Sequence, residues 1–165
     1  GLKWATCNIG ANKPEDYGDY FAWGETKTKS TYDEYNSVTY GKNFSDIGGK
    51  SQYDAARANW RGIWRLPTIA EMVELENRCI WKWTTQNGVN GYKITGPSGN
   101  SIFLPAAGYR LGSSLYRAGE SGYYWSSMPN EIDNYRTYSL SFYSSLQGVG
   151  WGSRCDGRSV RPVAE

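Results

Sequence analysis

Glycine punctuates this chain: 20 of its 165 residues are Gly, spread from end to end, and few of the apolar stretches between them are long. An internal glycine weakens a helix or a strand but suits a turn, so the chain reads as short strands and many turns rather than as long helices. An α+β or mostly-β arrangement follows. At this length one hydrophobic core is the default, because such a chain buries about 70% of the surface it exposes when unfolded. Its large rings are 14 Tyr and 8 Trp against only 4 Phe. Most therefore carry a polar handle and favour half-buried positions and interfaces.

Two segments read as helices. Ser51 precedes Asp54 with capping-box-like spacing, and Ala55-Ala56-Arg57-Ala58 carries good helix formers up to Trp60. In the second, Pro67-Thr68 leads in, Thr68 and Glu71 have capping-box spacing, and Met72, Val73, Leu75 and Cys79 form an apolar stripe. Trp60 and Trp64, between the two, are expected to plug the core beneath them. Upstream, Trp4 to Trp23 reads as two strand-like pieces, and residues 25–50 as a polar surface excursion pinned by aromatics.

The second half reads as strand and turn. Asn87-Gly88 and Asn90-Gly91 are turn signals, and Tyr92 to Thr95 pairs with Ser101 to Leu104 across Gly96 to Asn100. Further strands are expected at Tyr123 to Ser126, Tyr138 to Phe142 and Ser159 to Val163. In the middle one Tyr138, Leu140 and Phe142 should face the core, leaving Ser139, Ser141 and Tyr143 to solvent. Gly148-x-Gly150-x-Gly152 lacks the spacing of a dinucleotide fingerprint and reads as a flexible loop.

Most chemistry is argued against. The formal net charge is +2 with no run of Lys or Arg, which speaks against nucleic acid as a partner. No stretch approaches the ~20 apolar residues that span a bilayer, so no membrane contact is expected, and the opening Leu2-Lys3-Trp4-Ala5 looks like a strand and not a signal segment. The chain has no His, which removes the commonest general base and metal ligand. Glu120, Glu131, Asp133 and Asp156 could supply a carboxylate pair for an enzyme, but read better as solvated loop charges. No cofactor is implied. Only oxygen ligands are on offer to a metal, which would favour calcium, around Asn130, Glu131 and Asp133. Cys7, Cys79 and Cys155 have no paired spacing, leaving open one disulfide with a free thiol or three buried thiols.

Binding is what the composition favours. Between Tyr109 and Glu165 there are 7 Tyr, 11 Ser and 7 Gly, and every basic residue is Arg. Tyr supplies contact area at low entropic cost, Ser and Gly adapt, and Arg stacks and forks. The same residues also suit plain strands and turns.

Several phrases together resemble one family. Leu2 to Ala11, Tyr17 to Thr26, Trp64-Arg65-Leu66-Pro67-Thr68 with Glu71, Ile102 to Arg110, Gly122 to Ser127 and Ser159 to Val163 occur in the order seen in the Fibrobacter succinogenes major paralogous domain family. The likeness implies an α+β, C-type-lectin-like domain with two helices and a hairpin-rich antiparallel sheet, spanning 1–165. It also implies a secreted or cell-surface bacterial protein. The C-terminal part, 122–165, resembles the variable proteins of diversity-generating retroelements, whose ligand-binding face lies between a Tyr-Trp-Ser-Ser strand and a Ser-Val-Arg-Pro-Val strand. By that likeness the candidate ligand-binding residues are Tyr135, Ser139, Ser141, Tyr143, Gly150, Trp151, Ser153 and Asp156. The calcium-dependent sugar triplets of C-type lectins do not carry over, since only Met128-Pro129-Asn130 is present, and neither does the cysteine pair of formylglycine-generating enzymes. The expectation is a non-catalytic domain that binds a protein or carbohydrate ligand. A structural module of a surface adhesin and a carboxylate-dependent enzyme are the alternatives.

Overall fold

In the structure, a computed structural model that describes residues 2–165, β1 (Lys3–Trp4) is followed by a long irregular stretch. The strand expected near Tyr20 to Trp23 is reduced to a bridge, because the Phe21 main chain exchanges hydrogen bonds with Arg158 and the Trp23 N–H donates to the Arg154 carbonyl. The excursion that follows is pinned by rings: the Tyr32 hydroxyl donates to the Tyr20 carbonyl at 2.6 Å, and Phe44 packs edge-on against Trp23.

The first helix, α1 (Ala55–Trp60), is capped by Asp54 and not by Ser51. The Asp54 carboxylate is fully buried and accepts from the N–H groups of Gly49, Ala56, Arg57 and Leu66, so it ties the helix start to two loops at once. The second helix, α2 (Ile69–Arg78), has the expected reciprocal box between Thr68 and Glu71 and stops at Cys79. Arg65 grips the same Glu71 at 2.7 Å. Met72 and Leu75 are buried, whereas Val73 falls on the solvent side of the helix. Trp60 and Trp64 meet edge to face at 5.4 Å and are only half-buried; Trp60 packs against the rim of the core, and neither ring plugs it.

From α2 onward the chain is strand and turn. The antiparallel sheet β2 (Ile80–Gln86), β3 (Val89–Thr95) and β4 (Ser101–Pro105) turns at Asn87-Gly88, both at positive φ. Asn90 and Gly91 are not a turn; they lie within β3, where a Cβ on Gly91 would meet the Leu104 carbonyl oxygen of β4. A small hairpin, β5 (Tyr109–Leu111) and β6 (Ser114–Tyr116), leads to a second three-stranded sheet of β7 (Ser121–Pro129), β8 (Arg136–Tyr143) and β9 (Leu146–Ser153). The last strand, β10 (Val163–Ala164), returns to pair with β1. The Ser159 segment expected as a strand only bridges Tyr124 in parallel. With two helices and several small antiparallel sheets, the protein is of the α+β class.

The β7–β9 sheet has one core cluster on one side. There Tyr124, Leu140 and Phe142 pack with Met72 and Leu75 of α2 and with Tyr92, Ile94 and Leu104 of the first sheet. A second cluster around Phe21, Trp23, Leu66 and Val160 takes in Trp125, which points to the opposite side. Chain ends are joined by Arg161, fully buried, whose guanidinium donates to Asn8 Oδ1, to the Ala5 carbonyl and to the Phe103 carbonyl. Burial pulls its pKa down to about 10. Asn8 in turn donates to the Tyr124 hydroxyl, itself pushed up to about 12 by burial.

Candidate functional site

The outer side of the β7–β9 sheet carries Ser121, Tyr123 and Trp125 from β7 and Thr137, Ser139, Ser141 and Tyr143 from β8. On β9 their partners are Gly152, Gly150, Gly148 and Leu146. The Gly-x-Gly-x-Gly run expected as a loop is therefore a strand, with its glycines at period two on one face. None of the three has a positive φ, so their backbone could accept any residue.

The three glycines differ in what stands over them. A Cβ on Gly152 would fall 2.2 Å from Cζ of Arg158. That guanidinium crosses the sheet between the rings of Tyr123 and Trp125, at 4.8 and 4.9 Å from their centroids, and donates to Ser139 Oγ at 2.7 Å. Asp156 approaches its other nitrogen at 3.5 Å. Burial pushes the Asp156 carboxyl up and the Arg158 guanidinium down, so their attraction offsets only part of the cost of burying both. Over Gly150 there is open space, and a Cβ on Gly148 would make only ordinary contact with Glu76 at 3.6 Å. These two glycines floor an open groove of about 380 Å³, flanked by Tyr123, Ser141, Tyr143 and Leu146. Tyr143 and Leu146 are exposed.

The candidate residues divide accordingly. Ser141, Tyr143 and Gly150 meet in the groove. Ser139 does not look at solvent: it is 1% exposed beneath Arg158, and with Asp156 it belongs to the arginine lock. Trp151 is 49% exposed, but it pairs with Tyr138 and so lies on the opposite side of the sheet from Ser141 and Tyr143. Its ring stacks on Tyr138 at 5.2 Å with Arg136 above it at 5.6 Å, and this leaves Tyr138 half-buried at the margin of the core. Ser153 pairs with Arg136 on that same side, its hydroxyl 3.1 Å from the Cys155 thiol. Tyr135 packs its ring on Tyr40 at 4.9 Å, away from the groove. Sequence reasoning missed Tyr123, Leu146 and Gly148; the period of two in the glycines was the signal that could have found them.

Residues 73–163 match the family described as a domain of unknown function (DUF8237). The chain belongs to that family. The matched span runs from α2 to β10, so the groove, the Arg158 lock and Arg161 all lie within the DUF8237 portion. No curated protein and no solved structure matches the chain.

Of the acidic candidates, Asp133 and Asp156 are spent on local structure. Asp133 accepts from the Tyr135 and Arg136 N–H groups and from the Arg136 side chain; these bonds outweigh its desolvation and hold its carboxyl below the ordinary range. Asn130 Oδ1 accepts from the Ile132 and Asp133 N–H groups. Glu120 and Glu131 are exposed. All three cysteines are free thiols, as the three-thiol reading has it, but only Cys155 is buried, and Cys7 and Cys79 are half-buried.

Proposed function

We propose that this chain is a non-catalytic, ligand-binding domain of C-type-lectin-like fold, carried by a secreted or cell-surface bacterial protein, and that a protein or glycan ligand sits in the groove over Gly148 and Gly150. The observation that carries this reading is that those two glycines are unforced. Glycine within a strand costs stability, and is ordinarily explained by a turn, a bulge or a close neighbour. Here the φ angles are ordinary, nothing stands within 4 Å of a Cβ on Gly150 and only ordinary contact awaits one on Gly148, so the fold itself gives no reason for glycine at either position. Its flanks, Tyr123, Tyr143, Leu146 and the Ser141 hydroxyl, combine ring area with hydrogen-bonding groups as binding surfaces do. For the fold, the two helices and the hairpin-rich antiparallel sheets support the reading that the family likeness implies.

The test is a screen of the purified domain against a glycan array and a panel of cell-surface proteins, followed by Gly150→Trp, which fills the groove without touching the core. The variant should keep its stability within about 0.5 kcal/mol and weaken the ligand found by about 2 kcal/mol or more. A ligand that binds Gly150→Trp at full strength would put the binding surface elsewhere.

A further inference from the structure

The β9 strand is the free edge of its sheet. On the opposite side, residues 158–160 run beside β7, where Ser159 bonds to the Tyr123 and Trp125 main chain, and Phe21 then bonds to Arg158. Along β9, among the described residues, no hydrogen bond other than those of the β8 ladder reaches Leu146 to Gly152. Alternate residues of an antiparallel strand turn their N–H and C=O groups away from the partner, so β9 presents an unpaired row of donors and acceptors. Proteins usually blunt such edges with Lys, Pro, a bulge or a covering element. The β2 edge of the first sheet carries Lys82 in this way. In contrast, Leu146–Ser153 contains no Lys, Arg, Asp, Glu or Pro, and pairs with β8 over its whole length without a register shift; the side chain of α2 that comes beside it is Glu76, within ordinary contact distance of a Cβ at Gly148, and Gly150 has open space.

We propose that β9 accepts an extended polypeptide segment of a partner protein as a fourth strand, with large apolar or aromatic side chains at alternate positions reaching over Gly148 and Gly150. This rests on the reading of the groove as a ligand surface and names the class of ligand it takes. Main-chain hydrogen bonds would supply affinity and the groove the side-chain preference, as in other strand-addition complexes. The geometry argues against a second copy as the occupant. Another β9 would bring its own glycines to that side and leave the groove empty, whereas a strand of alternating large and small residues fills it. On the other side of the sheet the added strand would run beside Val149 and the Trp151 ring, which suits small or β-branched residues there.

The experiment selects phage-displayed random dodecapeptides on the immobilised domain, and then uses the winning sequence as a synthetic peptide probe. Winners should alternate large apolar with small or polar residues and lack a central proline. N-methylation of one alternate set of peptide residues should weaken binding about tenfold or more, because it removes the donors of one edge, while methylation of the intervening set leaves binding within about twofold. Gly150→Lys, at a site with room for a side chain, should weaken the probe about tenfold while the circular dichroism spectrum and melting temperature stay unchanged. A probe indifferent to both methylation sets, or a selection yielding no peptide that Gly150→Lys releases, overturns strand addition. If a glycan-array ligand is nevertheless lost in Gly150→Trp, the groove reading stands and only this proposal falls. A dimer in sedimentation velocity that Gly150→Lys dissociates would make a second copy the occupant and also overturn it.

Discussion

Gly150 and Gly152 lie two residues apart on one strand, face the same way and have the same kind of backbone, yet they are glycine for different reasons. At Gly152 the missing side chain makes room for Arg158, which passes between two rings to reach Ser139. At Gly150 the room is left empty. The outer face of one sheet is thus finished at one end and open at the other. A glycine that something in the fold occupies is explained by the fold, and one that nothing occupies asks what arrives from outside. The contrast also separates serines: Ser139 is spent on Arg158, whereas Ser141, one step along the same face, lines the groove.

The sharpest way to break this comparison is to cut a ring from each end. Trp125, 1% exposed, donates its Nε1–H to the Phe21 carbonyl at 2.7 Å and backs the Arg158 guanidinium. Trp125→Ala should cost about 3 to 5 kcal/mol in urea denaturation, as for a large core ring. Tyr143→Ala, at the open end, should change stability by no more than about 0.5 kcal/mol. Comparable losses for the two would mean that the groove is as structural as the lock.

Next in size is Gly152→Ala. The arginine tip is flexible in principle, but here two rings, Ser139 and Asp156 hold it, so a new methyl group must displace a buried charge. A loss of about 2 kcal/mol is expected, within the range for overpacking. A double-mutant cycle identifies the cause. In an Arg158→Ala background the same Gly152→Ala change should cost little, giving a coupling energy of about 1 kcal/mol or more. Additive losses would show that Arg158 is not what Gly152 accommodates.

Local chemistry was legible in the sequence, and distant cover was not. The α2 helix announced itself through Thr68, Glu71 and its buried stripe, and the β2–β3 turn through Asn87-Gly88, because each signal lies within a few residues of its effect. The alternation of β8 was readable too, and Leu140 and Phe142 do face the core. What alternation could not say is that Ser139, correctly placed on the outer face, lies under an arginine arriving from residue 158. The cap of α1 was misassigned for a related reason: Asp54 serves loops at Gly49 and Leu66 as well as the helix, and that demand is invisible in a local window. The β9 strand was lost to a rule of thumb, since glycine normally breaks strands, although three glycines at a spacing of two also describe one smooth face.

A smaller effect tests the closed end through its ion pair. Burial raises the Asp156 carboxyl above its ordinary value, with Arg158 pulling the other way without prevailing. A carboxyl whose folded pKa is raised stabilises the protein below its unfolded value, about 3.9, and that contribution is lost as the pH rises through the folded value. Relative to Asp156→Asn, the wild-type protein should therefore lose stability as the pH climbs from about 3 to about 7. Denaturation midpoints of both proteins across that range would show it. A wild-type advantage that instead grows with pH would mean that Arg158 holds the carboxylate more strongly than burial opposes it, and that the lock is a true salt bridge.

The smallest expected effect bears most directly on function. Gly150→Ala adds a methyl group where nothing stands within 4 Å and where the backbone is already in a region open to every residue. It should leave stability within about 0.5 kcal/mol, or raise it slightly, because alanine restricts the unfolded chain by about 0.4 to 1 kcal/mol relative to glycine. Placed beside Gly152→Ala, the same substitution two residues away would then differ by about 2 kcal/mol for a reason that lies wholly in what covers each site. Chemical denaturation of the two variants under one set of conditions decides the matter. If Gly150→Ala proves as costly as its neighbour, the strand needs both glycines for itself, and the vacancy over Gly150 no longer points to a ligand.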